Sequence, residues 1–313
     1  MPLKPPTYGS REYWDQRFAK DSIPFDWLSA PDTLDPFITD ALRDTTNLEP
    51  EILHVGCGSS LLSYHLRAHV ETPKQVHNVD YSQLAIDIGK QREVELSIHG
   101  HNLAEDTNAD DESKEKSSAK KTSSNSHGNT DAFMRWDTTD LLDLTPLLKV
   151  CKPNTYSVII DKSTSDSIAC ADDVEIQLPY PLTYGPETQR EHTPGQTSSA
   201  YPVQLMAVHL ALVTKPGARW ISLSYSAERY YFLDAEVSHS SVSAGQGQVS
   251  DDAFPDVRLL WRVLGKYEIE APEKQVSGGE RGSVSVAHLP KVYHWVHVLE
   301  RTETPVTLRG EHL

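Results

Sequence analysis

The chain has 313 residues, enough for one large domain with insertions or for two small ones. Its 45 acids outnumber its 29 lysines and arginines, giving a formal net charge of −16 and a pI near 5.3, and so acidic a surface repels phosphate backbones and excludes nucleic acid as an expected partner. The three cysteines, Cys57, Cys151 and Cys170, form no C-x-x-C pair, which excludes a disulfide framework or a zinc ribbon and suits a reducing compartment.

The first six residues lack the apolar core of a signal peptide, and no stretch approaches the length of a membrane span, so a cytoplasmic location and no membrane partner are expected. Residues 11–18 read as a short helix, with Ser10 as N-cap and Glu12 in the first turn. Pro24-Phe25-Asp26-Trp27-Leu28 follows as an aromatic loop, and residues 34–42 as an amphipathic helix.

Ile52-Leu53-His54-Val55 is an apolar strand that runs into Gly56-Cys57-Gly58-Ser59-Ser60. Residues 61–69 read as the helix behind it, and Val76-His77-Asn78-Val79-Asp80 as a second strand ending in a carboxylate. Strand, tight Gly turn, helix, strand and acid is how an α/β sheet holds an adenosine-containing cofactor. Gly56 and Gly58 accept the backbone angles of a tight turn and let a ligand lie against the main chain. Asp80, 24 residues after Gly56, is placed to accept hydrogen bonds from both hydroxyls of a ribose, and Tyr81 offers an aromatic face to a purine. A pyrophosphate reading needs a third glycine, and Leu61 stands in its place. S-adenosylmethionine has no phosphate and needs only the first part of the turn.

Residues 82–96 read as a helix with Ser82 as N-cap. Residues 99–131 are dense in Asp, Glu, Ser, Lys and Asn and nearly free of large apolar groups, and are expected to be a disordered insert. A third strand is expected at 132–136, ending in Asp137-Thr138-Thr139-Asp140-Leu141. Tyr156-Ser157-Val158-Ile159-Ile160-Asp161 is a strand of the kind buried on both faces, followed by Lys162-Ser163-Thr164. Residues 178–200 are rich in Pro, Thr and Gly and read as an irregular loop, and 238–250 as a mobile one. Between them come a helix at 203–213 and a fifth strand at 219–225. Residues 259–269 and 292–299 read as an antiparallel pair, with a Gly-rich turn at 277–282 between them. The expected fold is Rossmann-like α/β: a mostly parallel seven-stranded sheet with an antiparallel C-terminal edge hairpin and helices on both faces.

The motifs Gly56-Cys57-Gly58, Asp80-Tyr81-Ser82, Arg135-Trp136 with Asp140, and Asp161-Lys162, in that order, resemble a class I S-adenosylmethionine-dependent methyltransferase. Tyr13-Trp14-Asp15-Gln16-Arg17-Phe18 and Phe25-Asp26-Trp27 are similar to the subfamily that includes the eukaryotic elongation factor 1A lysine methyltransferases. The resemblance implies one methyltransferase domain over residues 1–313 with residues 1–45 as an aromatic cap. It implies S-adenosylmethionine as cofactor and a protein lysine as acceptor. By position, Trp14, Phe18 and Trp27 would line the cofactor pocket, and Gly56 would touch the methionine end, with Gly58 in the same cofactor-binding turn. Asp80 would hold the ribose, Tyr81 the adenine, and Asp140 the adenine amino group, with Leu141 packed on the ring. Lys162 would sit near the cofactor, where relatives read D/E-K-G-T and this chain has Ser163.

Bland roles stand beside these: Trp14 and Trp27 as core aromatics, Asp140 as a helix N-cap with Asp137 competing for its part, and Lys162 as an ion-pair partner at a strand end. Methyl transfer from a sulfonium is an in-line displacement that requires no covalent nucleophile. A lysine acceptor must lose a proton, at a cost of about 4–5 kcal/mol at neutral pH from a free pKa of about 10.4. Trp27, Tyr225 and Tyr230 are candidate walls of a dry channel for it, and Asp161 is the candidate to orient the amine or take its proton, or else to cap the following loop. Cys57 reads as inert packing. The 14 histidines, His99 and His101 among them, show no metal-ligand spacing, so no metal site is expected. A small-metabolite methyltransferase and a non-catalytic binding module are the competing readings, and the oligomeric state is open.

Overall fold

The structure is a computed structural model that describes residues 6–21, 23–45, 49–106, 132–184, 195–234, 254–271 and 291–309, with backbone alone over 99–106. Its strands are β1 (Ile52–Val55), β2 (Val76–Asp80), β3 (Arg135–Thr138), β4 (Tyr156–Lys162), β5 (Val174–Leu178), β6 (Leu182–Tyr184), β7 (Gln196–Ala200), β8 (Thr214–Ser224), β9 (Trp261–Glu270), β10 (Tyr293–Arg301) and β11 (Val306–Leu308). Its α-helices are α1 (Arg11–Lys20), α2 (Asp35–Asp44), α3 (Leu62–Leu66), α4 (Gln83–Asp106), α5 (Leu144–Val150), α6 (Thr164–Ile168), α7 (Pro202–Val213) and α8 (Val257–Leu260).

Seven strands form one sheet in the order β3-β2-β1-β4-β8-β10-β9. The first five run parallel. β10 runs antiparallel to both β8 and β9, so the expected closing hairpin is present, with β9 at the edge. The order reverses between β1 and β4, and in open α/β sheets a crevice opens at such a point beyond the carboxyl ends of the strands.

Side chains alternate across the sheet and build a core on each face. Leu53, Ile159 and Trp220 point to one side, where α5, α7 and α8 cover them. Ile52, Val158, Ile160 and Ile221 point to the other, beneath Ile38 of α2, Leu62 and Leu66 of α3, and Ile86 of α4. Every residue of β4 is buried, as a central strand covered on both faces requires.

Three expectations are corrected. The third strand starts at Arg135 rather than at 132, because the residues before it fold onto α4: Met134 N–H donates to Glu93 Oε1 at 2.8 Å, and Trp136 Nε1–H to Glu93 Oε2 at 2.7 Å. α4 continues to Asp106, past the start of the proposed insert at 99. The stretch 178–200 is not irregular where it is described: β5 pairs antiparallel with β7, and β6 with β11, and Ile176 and Leu178 are buried under α7. The rest of the insert (107–131), the loop 238–250 and the Gly-rich run 277–282 lie outside the described residues. Among the described residues no helix is long and apolar enough to cross a membrane.

Candidate functional site

A cavity of about 570 Å³ opens at the carboxyl ends of β1, β2, β3 and β4, within the range of a cofactor or small-molecule site. Its floor is the turn after β1. Gly56 (φ +57°) and Gly58 (φ +52°) both take left-handed angles. Gly56 is also close-packed: a Cβ there would lie 2.3 Å from Thr164 Oγ1, which donates to the carbonyl of Val55 at 2.9 Å. A Cβ on Gly58 would meet only the Phe18 ring, at 3.4 Å.

Asp80 is buried against this turn. One carboxylate oxygen accepts the Gly58 N–H at 2.9 Å and the other the Ser82 N–H at 2.8 Å. Burial pushes its carboxyl up to about 6 against the pull of those two amides. Ser82 does not cap α4 with its hydroxyl, which turns instead to Asp15 of α1. Tyr81 is half-buried, and its hydroxyl donates to the carbonyl of Ser10 at 3.3 Å. Asp140 stays open to solvent, with Oδ1 accepting the Leu142 N–H at 2.8 Å. The N-cap of α5 is Asp143, not Asp140, and Asp137 faces away from the cavity to His77 Nε2 at 2.9 Å. The carbonyl of Leu141 accepts from His209 Nδ1 at 2.7 Å, which holds the Leu141 segment in place.

The N-terminal segment roofs the cavity with rings. Trp14 stacks on Phe18 at 5.9 Å and meets Trp27 edge-on at 5.9 Å. Trp14 Nε1–H is shared between the carbonyl of Tyr8, at 2.7 Å, and Ser167 Oγ of α6, at 3.1 Å, so these rings are pinned to the sheet. The Arg17 guanidinium lies 4.4 Å from the centroid of Phe25 and has no acidic partner among the described residues.

All ten residues expected at the cofactor line this cavity: Trp14, Phe18, Trp27, Gly56, Gly58, Asp80, Tyr81, Asp140, Leu141 and Lys162. Lys162 does so as part of an ion pair. Its amine contacts Asp26 and donates to the carbonyl of Ser29 at 3.2 Å, and Asp26 also accepts from Ser60 Oγ. Burial lowers the Lys162 pKa, against Asp26, which raises it.

Asp161 is corrected. It is fully buried and does not line the cavity. Oδ1 accepts the N–H groups of Thr164 (2.9 Å) and Ser165 (3.2 Å), and Oδ2 lies 3.1 Å from Ser222 Oγ and 3.2 Å from Tyr230 OH. With four donors around it, Asp161 caps α6 and cannot reach an acceptor. Tyr230 is sealed in with it, whereas Tyr225 lines the cavity. Ser163, where relatives carry glycine, takes φ +66° and so keeps the backbone a glycine would adopt.

Sequence reasoning missed Tyr8, Arg11, Arg17, His54, Thr139, Asp166 and Arg229, which also line the cavity. Asp166 and Arg229 pair at 2.7 Å. Burial holds the His54 imidazole down at about 4, so it is neutral at pH 7. Thr139 Oγ1 and Ser163 Oγ are buried hydroxyls without a hydrogen-bond partner. Thr139 follows β3 and Ser163 follows β4, with β2 and β1 between them, so the two hydroxyls lie at opposite ends of the site.

No protein-family model matches the sequence. Over 225 residues the chain is 26% identical to the methyltransferase srdJ of Neurospora crassa, a match covering 72% of this chain and 70% of that protein. Among solved structures, it is similar to the N-methyltransferase NodS of Bradyrhizobium japonicum WM9 (11% identity, TM-score 0.43, covering 96% of this chain and 100% of that one). It is also similar to the magnesium protoporphyrin IX methyltransferase of Synechocystis PCC 6803 (9% identity, TM-score 0.45, 96% and 100%). The strand order β3-β2-β1-β4-β8-β10-β9, with β10 reversed, gives this chain the Rossmann-like fold of class I methyltransferases.

Proposed function

We propose that the chain is an S-adenosylmethionine-dependent methyltransferase, a single domain over residues 1–313, and that its acceptor is a small molecule. The observation that carries the cofactor reading is Asp80 held against the left-handed Gly56–Gly58 turn at the floor of the cavity. The residues present fit that cofactor. Each Asp80 oxygen keeps a lone pair for an outside hydroxyl. Gly58 leaves main chain open to a ligand. Arg17 supplies a positive charge for a carboxylate. When bound, the cofactor contributes a sulfonium methyl group, an electrophile that needs no covalent help from the protein. The roof of Trp14, Phe18 and Trp27 excludes water and fixes the approach.

The acceptor follows from which carboxylates of the cavity remain free. Asp161 is engaged by four donors and Asp166 by Arg229, so neither is free to take a proton from an amine. With Asp80 and Asp140 given to the ribose and the adenine, no carboxylate lining the cavity is left to take an amine's proton, which favours an acceptor that reacts as an oxyanion, such as a phenol or a carboxylic acid. The second reading is a protein lysine, as in the elongation factor 1A lysine methyltransferases that the N-terminal motifs resemble. The aromatic walls offered by Trp27 and Tyr225 favour it.

Calorimetry with S-adenosylmethionine and its demethylated product tests the cofactor, and absence of heat with both ends either reading. Transfer of a labelled methyl group into a small-molecule extract and into total protein then separates the acceptors. Label is expected in the extract, and label in protein lysine instead would select the second reading.

A further inference from the structure

α2 opens with Asp35, α3 carries His65, and the single helical turn Arg67–His69 that follows α3 ends with His69. These three residues lie outside the cavity lining. His65 and His69 are four positions apart, the spacing that puts two imidazoles on one face of a helical segment. That spacing was expected to be missing from this chain, and the helical continuation through His69 supplies it.

The two rings converge. Their centroids lie 5.4 Å apart. Nε2 of His65 is within hydrogen-bond reach of Asp35 Oδ1, and Nε2 of His69 lies 3.0 Å from the same oxygen. The three donor atoms all fall within 4.8 Å of one another. The side chains of His65, His69 and Asp35 are 28%, 16% and 40% exposed, so an ion can enter from solvent and keep a water on its open side.

We propose that Asp35, His65 and His69 form a binding site for a zinc-class divalent cation. Two imidazole nitrogens and one carboxylate oxygen are a borderline donor set, suited to zinc and its transition-metal neighbours. Magnesium and calcium call for an all-oxygen shell. A tetrahedral ion with bonds of about 2.0–2.1 Å spaces its ligand atoms about 3.3 Å apart, so side-chain rotations of well under a turn convert the present cluster into a coordination sphere. The ion's position gives it a fastening role. It ties the start of α2, which follows the aromatic roof, to α3, which descends from the Gly56–Gly58 turn. The site stands apart from the chemistry proposed for the cavity and does not depend on it.

The test is calorimetric titration of the untagged full chain, stripped with chelator, with Zn²⁺ and with Mg²⁺. The chain has 14 histidines, so zinc can also bind elsewhere, and the His65→Ala/His69→Ala double variant is the reference. One equivalent of Zn²⁺ should bind the wild type at least tenfold more tightly than the double variant, with no heat from Mg²⁺. Co²⁺ should give visible absorption bands in the wild type that the variant lacks. Equal zinc affinity in the two proteins overturns the site, leaving Asp35 as a plain hydrogen-bond acceptor for two histidines. Should the double variant fail to fold, Asp35→Asn replaces it, and an unchanged zinc affinity and unchanged Co²⁺ bands in that variant overturn the site equally.

Discussion

Asp80, at the end of β2, accepts the backbone N–H of Gly58 at 2.9 Å and so ties the turn after β1 to the neighbouring strand. Its second oxygen takes the Ser82 N–H at 2.8 Å. An asparagine here would aim an NH₂ group at one of those two amides, and would remove the negative charge that outside hydroxyls would meet. Asp80→Asn is expected to weaken S-adenosylmethionine binding at least a hundredfold by calorimetry, about 2.7 kcal/mol. The pH dependence has a definite sign. Hydroxyl donors favour the ionised carboxyl, and burial sets the free protein's Asp80 at about 6, so wild-type affinity should fall as the pH drops below that value. Near-normal affinity in the variant would remove Asp80 from the ribose role.

Gly56 and Gly58 share a left-handed backbone but not a neighbourhood. A methyl on Gly56 would overlap the Thr164 side chain, whereas a methyl on Gly58 would touch only the edge of Phe18. Left-handed angles cost a non-glycine residue about 1–2 kcal/mol at either position, and the clash adds to that at Gly56 alone. Gly56→Ala should therefore lower the thermal midpoint more than Gly58→Ala. Equal midpoints would mean that Thr164 moves freely, contrary to its 2.9 Å bond to Val55.

Lys162 and Asp26 join β4 to the aromatic roof, and Ser60 brings the glycine turn into the same contact. Lys162 is 3% exposed and Asp26 19%, so Lys162→Met strands a carboxylate that water reaches only partly. Removing one partner of a fully buried pair costs about 3–5 kcal/mol, and the partial exposure of Asp26 brings the expectation to about 2–3. The roof should loosen first. Trypsin should cut at Arg11, Arg17 and Lys20 faster in the variant, and cofactor affinity should fall by tenfold or more. Unchanged cleavage would show that the rings alone hold the segment.

The parallel strands were legible because each is a short apolar run bounded by turn residues, and the Gly56–Asp80 constellation because backbone sterics and a ribose both constrain it. Asp161 misled for a physical reason. A carboxylate at a strand end can serve a ligand or cap the next helix, and only the position of Ser222 and Tyr230 across the fold decides between them. The start of β3 was misplaced because Glu93, some 40 residues earlier in the chain, captures Met134 and Trp136 at 41 and 43 positions' separation. Tyr8 and Arg229 carry no local signal, because tertiary packing alone brings them to the cavity. β7 escaped notice because its polar Gln-Thr-Ser-Ser-Ala run pairs with β5 rather than with the main sheet, whereas the apolar-polar alternation of Val174-Glu175-Ile176-Gln177-Leu178 was a strand signal in the sequence.

Thr139 Oγ1 is buried on the cavity wall without a partner. Thr139→Val keeps the shape and removes the unsatisfied oxygen. In the ligand-free protein this should be neutral or stabilising by about 1 kcal/mol, since an unmet buried hydroxyl costs about 1–3 kcal/mol. Oγ1 has no surface open to the cavity, so cofactor affinity should be unchanged. A variant that is less stable, or that binds cofactor markedly less well, would show that the hydroxyl has a partner in solution.

His209 gives a second pH signature, on stability rather than binding. Nδ1–H donates to the carbonyl of Leu141, so Nε2 must accept from the hydroxyl of Tyr180, and the ring is held neutral. Burial lowers its pKa to about 4 from an ordinary 6.5. Between those values the unfolded chain binds the extra proton and the folded chain does not. The contribution of His209 is therefore complete above pH 6.5 and is lost progressively down to pH 4, by up to about 3 kcal/mol. Buried acids such as Asp80 run the opposite way, so the net curve conceals this residue and a difference measurement is needed. His209→Gln cannot take up that proton. Its stability deficit against wild type should be largest at pH 7 and should shrink as the pH is lowered towards 4.5, read from denaturant midpoints at each pH. A deficit that stays constant across that range would mean that folding leaves the pKa of His209 unchanged and that burial does not hold the ring neutral.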